Sequence, residues 1–224
     1  MFRWLKMSVY ISLSGLSISR ELLLLQLKKL DAYIEQNSSP AVWSYQIPEL
    51  GEGGACSLFG HLQEAPFLLS DHVEKNTVNE QSLAKLQTIV SAVIEFTAVD
   101  WFGIYQARAT NEGKQLLKLA YSGAPSRPLF PITEAFAATS NNIQTVLSAK
   151  ARVINDIPQY VASGGEYYTC DPKVKAETCM PLFDDAQNCI GIIDAEAFSE
   201  SFFNEEILAL LAAACTRIPD YLPE

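Results

Sequence analysis

Two strand–turn–strand patterns, separated and flanked by helical segments, constrain the fold of this chain more than any other feature. The first joins residues 99–107 and 115–121 across the turn residues TNEGK, and the second joins residues 175–183 and 188–198 across DDAQ. Short polar turns of this kind connect antiparallel neighbours. The order helix, hairpin, helix, short strand, hairpin, helix is not the regular alternation of a parallel sheet. The sequence therefore predicts an α+β domain with a mainly antiparallel sheet flanked by helices.

The first 75 residues are predicted to form an N-terminal extension, followed by a domain over residues 76–224. Ser19 is a predicted N-cap for a helix over about 19–36. The remainder, residues 37–75, contains three prolines and the run GEGG, so we expect it to be irregular apart from a short strand around AVWSYQI. The predicted helix carries one apolar stripe, which consists of Leu23, Leu27, Leu30 and Ile34.

Helices are also predicted within the domain. Thr77 and Glu80 have the spacing of a capping box at the start of a helix that reaches about Phe96. A second helix is predicted over residues 141–147. Asn204 is a predicted N-cap for the last helix, which has two glutamates in its first turn, where the helix dipole favours acids.

The balance of charge argues against two classes of partner. The chain has 26 acidic and 16 basic residues, which gives a net charge of −10 at pH 7. A nucleic-acid surface needs clustered Lys and Arg, and anionic lipid repels an acidic protein, so we expect neither partner. The five cysteines form no C-x-x-C pair, and the two histidines lie apart from them in sequence. We therefore expect reduced thiols, a cytoplasmic location and no metal site.

Aromatic and acidic side chains are predicted to share a pocket. Because side chains alternate along a strand, Trp101 and Tyr105 lie on one face of the first strand, and Asp194 and Glu196 on one face of the last. Glu177 is their neighbour if its strand pairs across DDAQ. The simpler alternatives are ordinary core for the aromatics and a solvated strand end for the acids. As a group, these side chains would enclose an apolar chain and bind an ammonium group.

Cys170 differs in context from the other thiols. Cys179, Cys189 and Cys215 lie in strands or on the apolar side of the last helix, and we interpret them as buried and inert. Cys170 follows a loop that contains glycines, where exposed and reactive thiols are found. The neighbouring Asp171 would raise its pKa. Position alone leaves an active thiol and an inert residue equally open.

Three segments in order carry a family resemblance: DWFGIY, TCDPKVKAETCMPL, and IGIIDAEAF followed by FFNEEI. With their surroundings, they make the chain from about Leu83 to Cys215 similar to a GAF domain, and specifically to the free methionine-(R)-sulfoxide reductases. That family has N-W-x-G-F-Y in the first segment. It has A-C-D before a strand S-E-I-V-x-P-L in the second, and I-G-V-L-D-I-D before an acidic-capped helix in the third.

The resemblance implies a site and a mechanism. Cys170 falls on the family's catalytic cysteine, whose thiolate would attack the sulfoxide sulfur while a carboxylic acid, Glu177 or Asp194, protonates the departing oxygen. Methionine would leave and Cys170 would become a sulfenic acid, which an external thiol reduces without a tightly bound cofactor. The residues implied to surround the free amino acid are Trp101, Tyr105, Glu177, Asp194 and, in place of a family aspartate, Glu196.

The chain departs from the family in its other cysteines. The family has two in the segment that corresponds to residues 122–144, and at least one of them resolves the sulfenic acid, but this segment contains none. An external thiol such as glutathione, or Cys56 in the run GEGGACSLFG, would have to serve. Two functions stay open: a reductase with altered recycling, and a GAF small-molecule binding or sensor domain without turnover. GAF domains commonly pair through flanking helices, so a homodimer is also expected.

Overall fold

The structure, a computed structural model, describes residues 2–50, 57–167 and 171–224. Within these ranges the helices are α1 (Phe2–Ser14), α2 (Arg20–Gln36), α3 (Thr77–Thr97), α4 (Glu134–Ala137), α5 (Asn141–Ser148), α6 (Ile157–Ala162) and α7 (Glu205–Arg217). The strands are β1 (Ser44–Tyr45), β2 (Pro48–Leu50), β3 (Ser57–Leu62), β4 (Phe67–Leu68), β5 (Trp101–Thr110), β6 (Gly113–Ser122), β7 (Leu129–Pro131), β8 (Arg152–Ile154), β9 (Ala176–Phe183) and β10 (Cys189–Ala197).

A six-stranded antiparallel sheet forms the centre of the molecule, in the order β7-β6-β5-β10-β9-β8. Both hairpins that the sequence predicts are present, as β5–β6 and β9–β10. The two hairpins join through the pairing of β5 with β10, in which Trp101 lies opposite Glu196 and Gly103 opposite Asp194. The prediction of a mainly antiparallel α+β fold is confirmed.

One side of the sheet, here called the helical face, packs against α3 and α7, and α2 packs on those two helices. Its side chains are alternate residues of the strands, such as Phe102 and Ile104 of β5 and Ile193 of β10, all fully buried. The opposite side, called the pocket face, carries Trp101 and Tyr105. Because side chains alternate along each strand, the same two hairpins supply both faces. The apolar stripe predicted for α2 is buried in the core of the helical face, as Leu23, Leu27, Leu30 and Ile34.

The N-terminal segment contains more regular structure than the sequence indicates. Helix α1 was not predicted, because serines dilute its apolar pattern, yet Met7 and Tyr10 are buried in the same core as α2. The stretch expected to be irregular contains β1, which pairs with β4, and β2, which pairs with β3. Strand β1 lies within the short strand predicted around AVWSYQI, whereas β2 and β4 are too short to leave a periodic signal in the sequence. The Tyr45 hydroxyl donates to the carbonyl of Lys118 over 2.8 Å, which ties this segment to β6.

Two of the predicted helix caps are present and one is wrong. The Ser19 hydroxyl accepts a hydrogen bond from the amide of Leu22, and Asn204 caps α7 in the same way. Helix α3, however, is capped by Asn76, whose side chain accepts from the amide of Asn79, and Thr77 is its first helical residue. The amide of Glu80, which a capping box would pair with Thr77, instead donates to the main-chain carbonyl of Asn76, so the box is not needed. Among the described helices, none has the length and hydropathy to span a membrane.

Candidate functional site

A cavity of about 280 Å³ opens on the pocket face of the sheet. Strands β5, β9 and β10 contribute acidic and aromatic residues to its lining, and the loop between β6 and β7 and the start of α5 also line it. The residues predicted to form a pocket that are described by the structure all line it: Trp101, Tyr105, Glu177, Asp194 and Glu196. The structure thus brings together side chains from three strands.

The two aromatic side chains are held side by side by the pleat of β5 and by close packing. The ring centroids of Trp101 and Tyr105 are 6.4 Å apart, and the Trp101 indole Nε1 donates to the carbonyl of Ala124 over 2.9 Å. A Cβ atom on Gly103 would lie 2.3 Å from the Trp101 ring, so the glycine in DWFG leaves room for the indole. The indole therefore lies flat along the cavity wall in a fixed orientation.

The three carboxylates converge through the pairing of β9 and β10, in which Glu177 lies opposite Glu196 and Asp194 lies one pleat away. Glu177 and Asp194 are 6% and 3% exposed, so both are removed from water while they line the cavity. Two side chains at the start of helix α5 orient these carboxylates by hydrogen bonds. The side-chain amide of Asn141 donates to Glu177 Oε2 over 3.0 Å, and that of Asn142 donates to Asp194 Oδ2 over 3.2 Å.

Burial raises the pKa values of all three acids, and repulsion between acids raises those of Asp194 and Glu196 further. For Asp194 the pKa is raised well above its usual value, first by desolvation and then by Glu177. For Glu196 it is likewise raised by desolvation and then by Asp194, and for Glu177 desolvation is the leading cause. A carboxyl in this state keeps its proton more readily than one in water. The cluster can therefore donate a proton, and a bound cation would favour its ionised form.

Lys118 is a charged residue on the pocket face that the sequence analysis missed. It is fully buried, and its ammonium donates to Ser126 Oγ over 2.6 Å and lies 3.9 Å from the centre of the Tyr121 ring. Desolvation lowers its pKa well below the usual value, against the opposing effect of Glu196 and then Asp194. The available signal was a lysine in the middle of the apolar run QLLKLAY.

Cys179 is buried, as predicted, but its surroundings are polar. Its thiol lies 3.2 Å from Glu177 Oε1, 3.6 Å from Asp194 Oδ1 and 3.1 Å from Asn142 Oδ1. Desolvation, followed by the two acids, raises its pKa well above the usual value, so the thiol stays protonated. The donor atoms of these three titratable residues lie within 4.8 Å of one another. Each is engaged in hydrogen bonds within the cluster, and we assign no metal to it.

The two cysteines predicted to react, Cys170 and Cys56, lie outside the described residues. Tyr167 and Asp171, which stand on either side of residues 168–170, both line the cavity. The Tyr167 side chain also forms a hydrogen bond with Glu177. Of the described thiols, Cys215 is buried in the helical core, where burial raises its pKa to about 12.

Arg127, in the loop after β6, is the basic residue among the described residues that line the cavity. Its Nε donates to the carbonyl of Leu129 over 2.6 Å. Its guanidinium carbon lies 5.4 Å from the ring centre of Phe130 and 5.1 Å from that of Phe136. These contacts hold a positive charge at the cavity, and no sequence pattern marked it.

Comparison with known proteins identifies a family and several structural relatives. The family described as "GAF domain" matches residues 83–218, and no curated protein sequence matches the chain. Among solved structures, the type II free methionine-R-sulfoxide reductase of Thermoplasma acidophilum is similar at 19% identity and a TM-score of 0.55, over 64% of this chain and 94% of that one.

Two further structures are similar over comparable or larger parts of the chain. The free methionine-R-sulfoxide reductase of Neisseria meningitidis in complex with its substrate has 19% identity and a TM-score of 0.50, over 64% of this chain and 84% of that one. The GAF domain of an Acinetobacter phosphoenolpyruvate-protein phosphotransferase has 10% identity and a TM-score of 0.54, over 89% and 91%. At these identities the likeness establishes the fold.

Proposed function

Because the chain belongs to the GAF domain family, whose model covers more than half of it, we propose that its cavity binds a free amino-acid sulfoxide and that Cys170 reduces this ligand. The observation that carries the proposal is the convergence of Glu177, Asp194 and Glu196 in one cavity beside Trp101. Glu177 and Asp194 are buried, and burying carboxylates is costly, so a group of three acids is typical of a site that receives a cation. An α-ammonium group supplies that charge and three hydrogen-bond donors.

The aromatic residues match the remainder of such a ligand. The methylthio chain of methionine sulfoxide is short and apolar apart from the sulfinyl group, and Trp101 and Tyr105 offer flat apolar surfaces. Sulfur atoms pack favourably against aromatic rings. The cavity, at about 280 Å³, is of a size for a single small molecule.

The proposed chemistry balances with one external reductant. The Cys170 thiolate attacks the sulfoxide sulfur and forms an S–S bond, while a protonated carboxyl of Glu177 or Asp194 and a second proton from solvent convert the oxygen into water as the S–O bond breaks. Water then attacks the Cys170 sulfur and releases a proton, the S–S bond breaks, methionine leaves, and Cys170 becomes a sulfenic acid. Two molecules of a small thiol then reduce the sulfenic acid to the thiol, giving a disulfide and water. The raised pKa values of the two acids support the role of proton donor.

A second function, binding without turnover, is favoured by the segment that leads into α5. Residues 122–144 contain no cysteine. In the first turn of α5, Asn141 and Asn142 instead donate to the pocket acids. This arrangement completes a binding site but supplies no resolving thiol. A small-molecule sensor requires only the binding site.

The test is methionine formation from free L-methionine-(R)-sulfoxide with dithiothreitol, a thiol that can resolve the sulfenic acid itself. We expect turnover in the wild type and in Cys189→Ser, and a loss of at least a hundredfold in Cys170→Ser, because the nucleophile is gone. Calorimetric binding of the sulfoxide without turnover would favour the second function. If the sulfoxide is neither bound nor turned over, both functions are refuted.

A further inference from the structure

The strands of the N-terminal segment contribute to the cavity from outside the part of the chain that the GAF domain family covers. Pro48 of β2 and Gly60 and Leu62 of β3 line the cavity, whereas the family match begins at residue 83. We propose that Leu62 is a further ligand-binding residue of this site and packs against the apolar side chain of the bound amino acid. This inference rests on the proposed function, because it concerns the same ligand in the same cavity.

Aromatic contacts fix the position of this segment on the sheet. The Tyr45 hydroxyl donates to the carbonyl of Lys118 over 2.8 Å, and the Tyr45 ring centre lies 5.3 Å from that of Tyr121. The Tyr121 ring in turn stacks on Trp101, with 6.1 Å between the ring centres, and Trp101 lines the cavity. Pro48 follows Tyr45 by three residues, which span at most about 11 Å, so β2 begins close to the aromatic lining.

The pairing of β2 with β3 holds Leu62 at the cavity. Leu62 lies opposite Pro48 in this antiparallel pair, and the amide of Gln63 donates to the carbonyl of Ile47 over 3.0 Å. Ile47 is buried, which anchors this end of the pair. Of the described β3 residues that line the cavity, Gly60 has no side chain, so the apolar contact from this strand falls to Leu62.

Leu62 is 47% exposed although it lines a cavity. A ligand that fills the cavity would remove part of this apolar surface from water, which strengthens the binding of a ligand with an apolar side chain. Leu68 of β4 is 46% exposed, but it is not among the described residues that line the cavity. A single exposed leucine is ordinary, so position at the cavity, and not exposure, distinguishes Leu62. Leu68 is therefore its matched control.

The first measurement is calorimetric binding of L-methionine-(R)-sulfoxide to the full chain, in a Cys170→Ser background that prevents turnover. We expect Leu62→Ser to weaken binding by about three- to tenfold, because less apolar surface is covered, and Leu62→Met to keep the affinity within about twofold. Leu68→Ser should leave the affinity unchanged. Thermal unfolding checks that each variant is folded.

The second measurement tests the contact itself. Leu62→Cys and Leu68→Cys are made separately in the same background, and alkylation by iodoacetamide at each position is followed by peptide mapping. The sulfoxide at about ten times its Kd should slow alkylation at position 62 by at least about fivefold, because the bound ligand covers that side chain, and should leave position 68 unchanged. A purely structural role of Leu62 would give no such protection.

The outcomes separate this inference from the proposed function. If the parent binds the sulfoxide but Leu62→Ser binds it equally well, or if the ligand does not protect position 62, the inference is overturned while the proposed ligand stands. An equal loss of affinity in Leu68→Ser would overturn it too. If the sulfoxide does not bind the parent, the proposed function fails and the inference fails with it.

Discussion

On the helical face of the sheet, Phe102, Ile104 and Ile193 pack into a dry core, whereas Tyr105 and Asp194, on the pocket face of the same strands, line a cavity. The helical face gains stability from every apolar side chain that it removes from water. The pocket face buries acids whose charged forms are penalised by desolvation. Stability and binding are therefore concentrated on opposite sides of one sheet, and substitutions on the two sides should have different consequences.

The largest effect is expected on the helical face. Leu86, on α3, is 0% exposed, and Leu86→Ala should lower the free energy of unfolding by about 2–5 kcal/mol, because it removes buried methyl groups and leaves a cavity. Urea denaturation measures the change. Leu25→Ala is the matched control, since Leu25 is 61% exposed and should change stability by less than about 0.5 kcal/mol. Equal effects of the two would contradict the assignment of the core to this face.

On the pocket face, a substitution should increase the free energy of unfolding instead of lowering it. Asp194→Asn should raise the free energy of unfolding at pH 7 by roughly 1–3 kcal/mol, because it removes a buried acid whose charged form is desolvated. The folded-state pKa of Asp194 lies above its unfolded value near 4, so protonation favours folding. This contribution is complete below about pH 4 and is lost as the pH rises through the raised pKa. Denaturation at several pH values should show that the free energy of unfolding falls less with rising pH in Asp194→Asn than in the wild type.

Asp184, at the β9–β10 turn, is the control for that prediction. Hydrogen bonds from the side chain and amide of Asn188 lower its pKa, so its contribution is present above pH 4 and is lost as the pH falls through the lowered value. Asp184→Asn should therefore reduce stability at pH 7. A loss of stability in Asp194→Asn as well would show that its hydrogen bonds outweigh its desolvation.

The smallest effects are expected from one serine-to-alanine substitution on each side of the sheet, at a helix N-cap. Ser19 and Ser140 are both N-caps, of α2 and of α5, and either serine-to-alanine substitution should cost about 1 kcal/mol of stability by thermal unfolding. Ser140→Ala should in addition weaken sulfoxide binding several-fold, because Asn141 and Asn142 in the first turn of α5 orient the acids. Unchanged affinity in Ser140→Ala would mean that the acids hold their positions without α5.

Much of the pocket was predictable because its elements are local. Strand alternation places Trp101 and Tyr105 on the same face, and a five-residue connection between β9 and β10 brings Glu177 opposite Glu196. The same two-residue spacing places Cys179 on the face of Glu177, so its polar surroundings were also readable. The expectation that it is buried and inert agrees with its location and its raised pKa.

Other parts of the site come from segments that have no pattern relating them to the strands. Arg127 and Ser126 lie in a loop, and Asn141 and Asn142 lie in a separate helix. Tyr45, in a strand of two residues, covers Lys118 from the N-terminal segment. These contacts join positions far apart in the chain, and periodicity describes only neighbours within one element.

By itself, the sequence determined the two hairpins, the helical stripe of α2, and the face on which each strand residue lies, because backbone geometry sets the periods of helices and strands. Only the tertiary structure decided which other segments pack on each face of the sheet. It brought Arg127 and three acids into the lining of one cavity, buried Lys118 under aromatic rings, and added α1 to the core. The reason is physical: the pKa values and the selectivity of the cavity depend on desolvation and on charges brought close by folding, and neither exists in the unfolded chain.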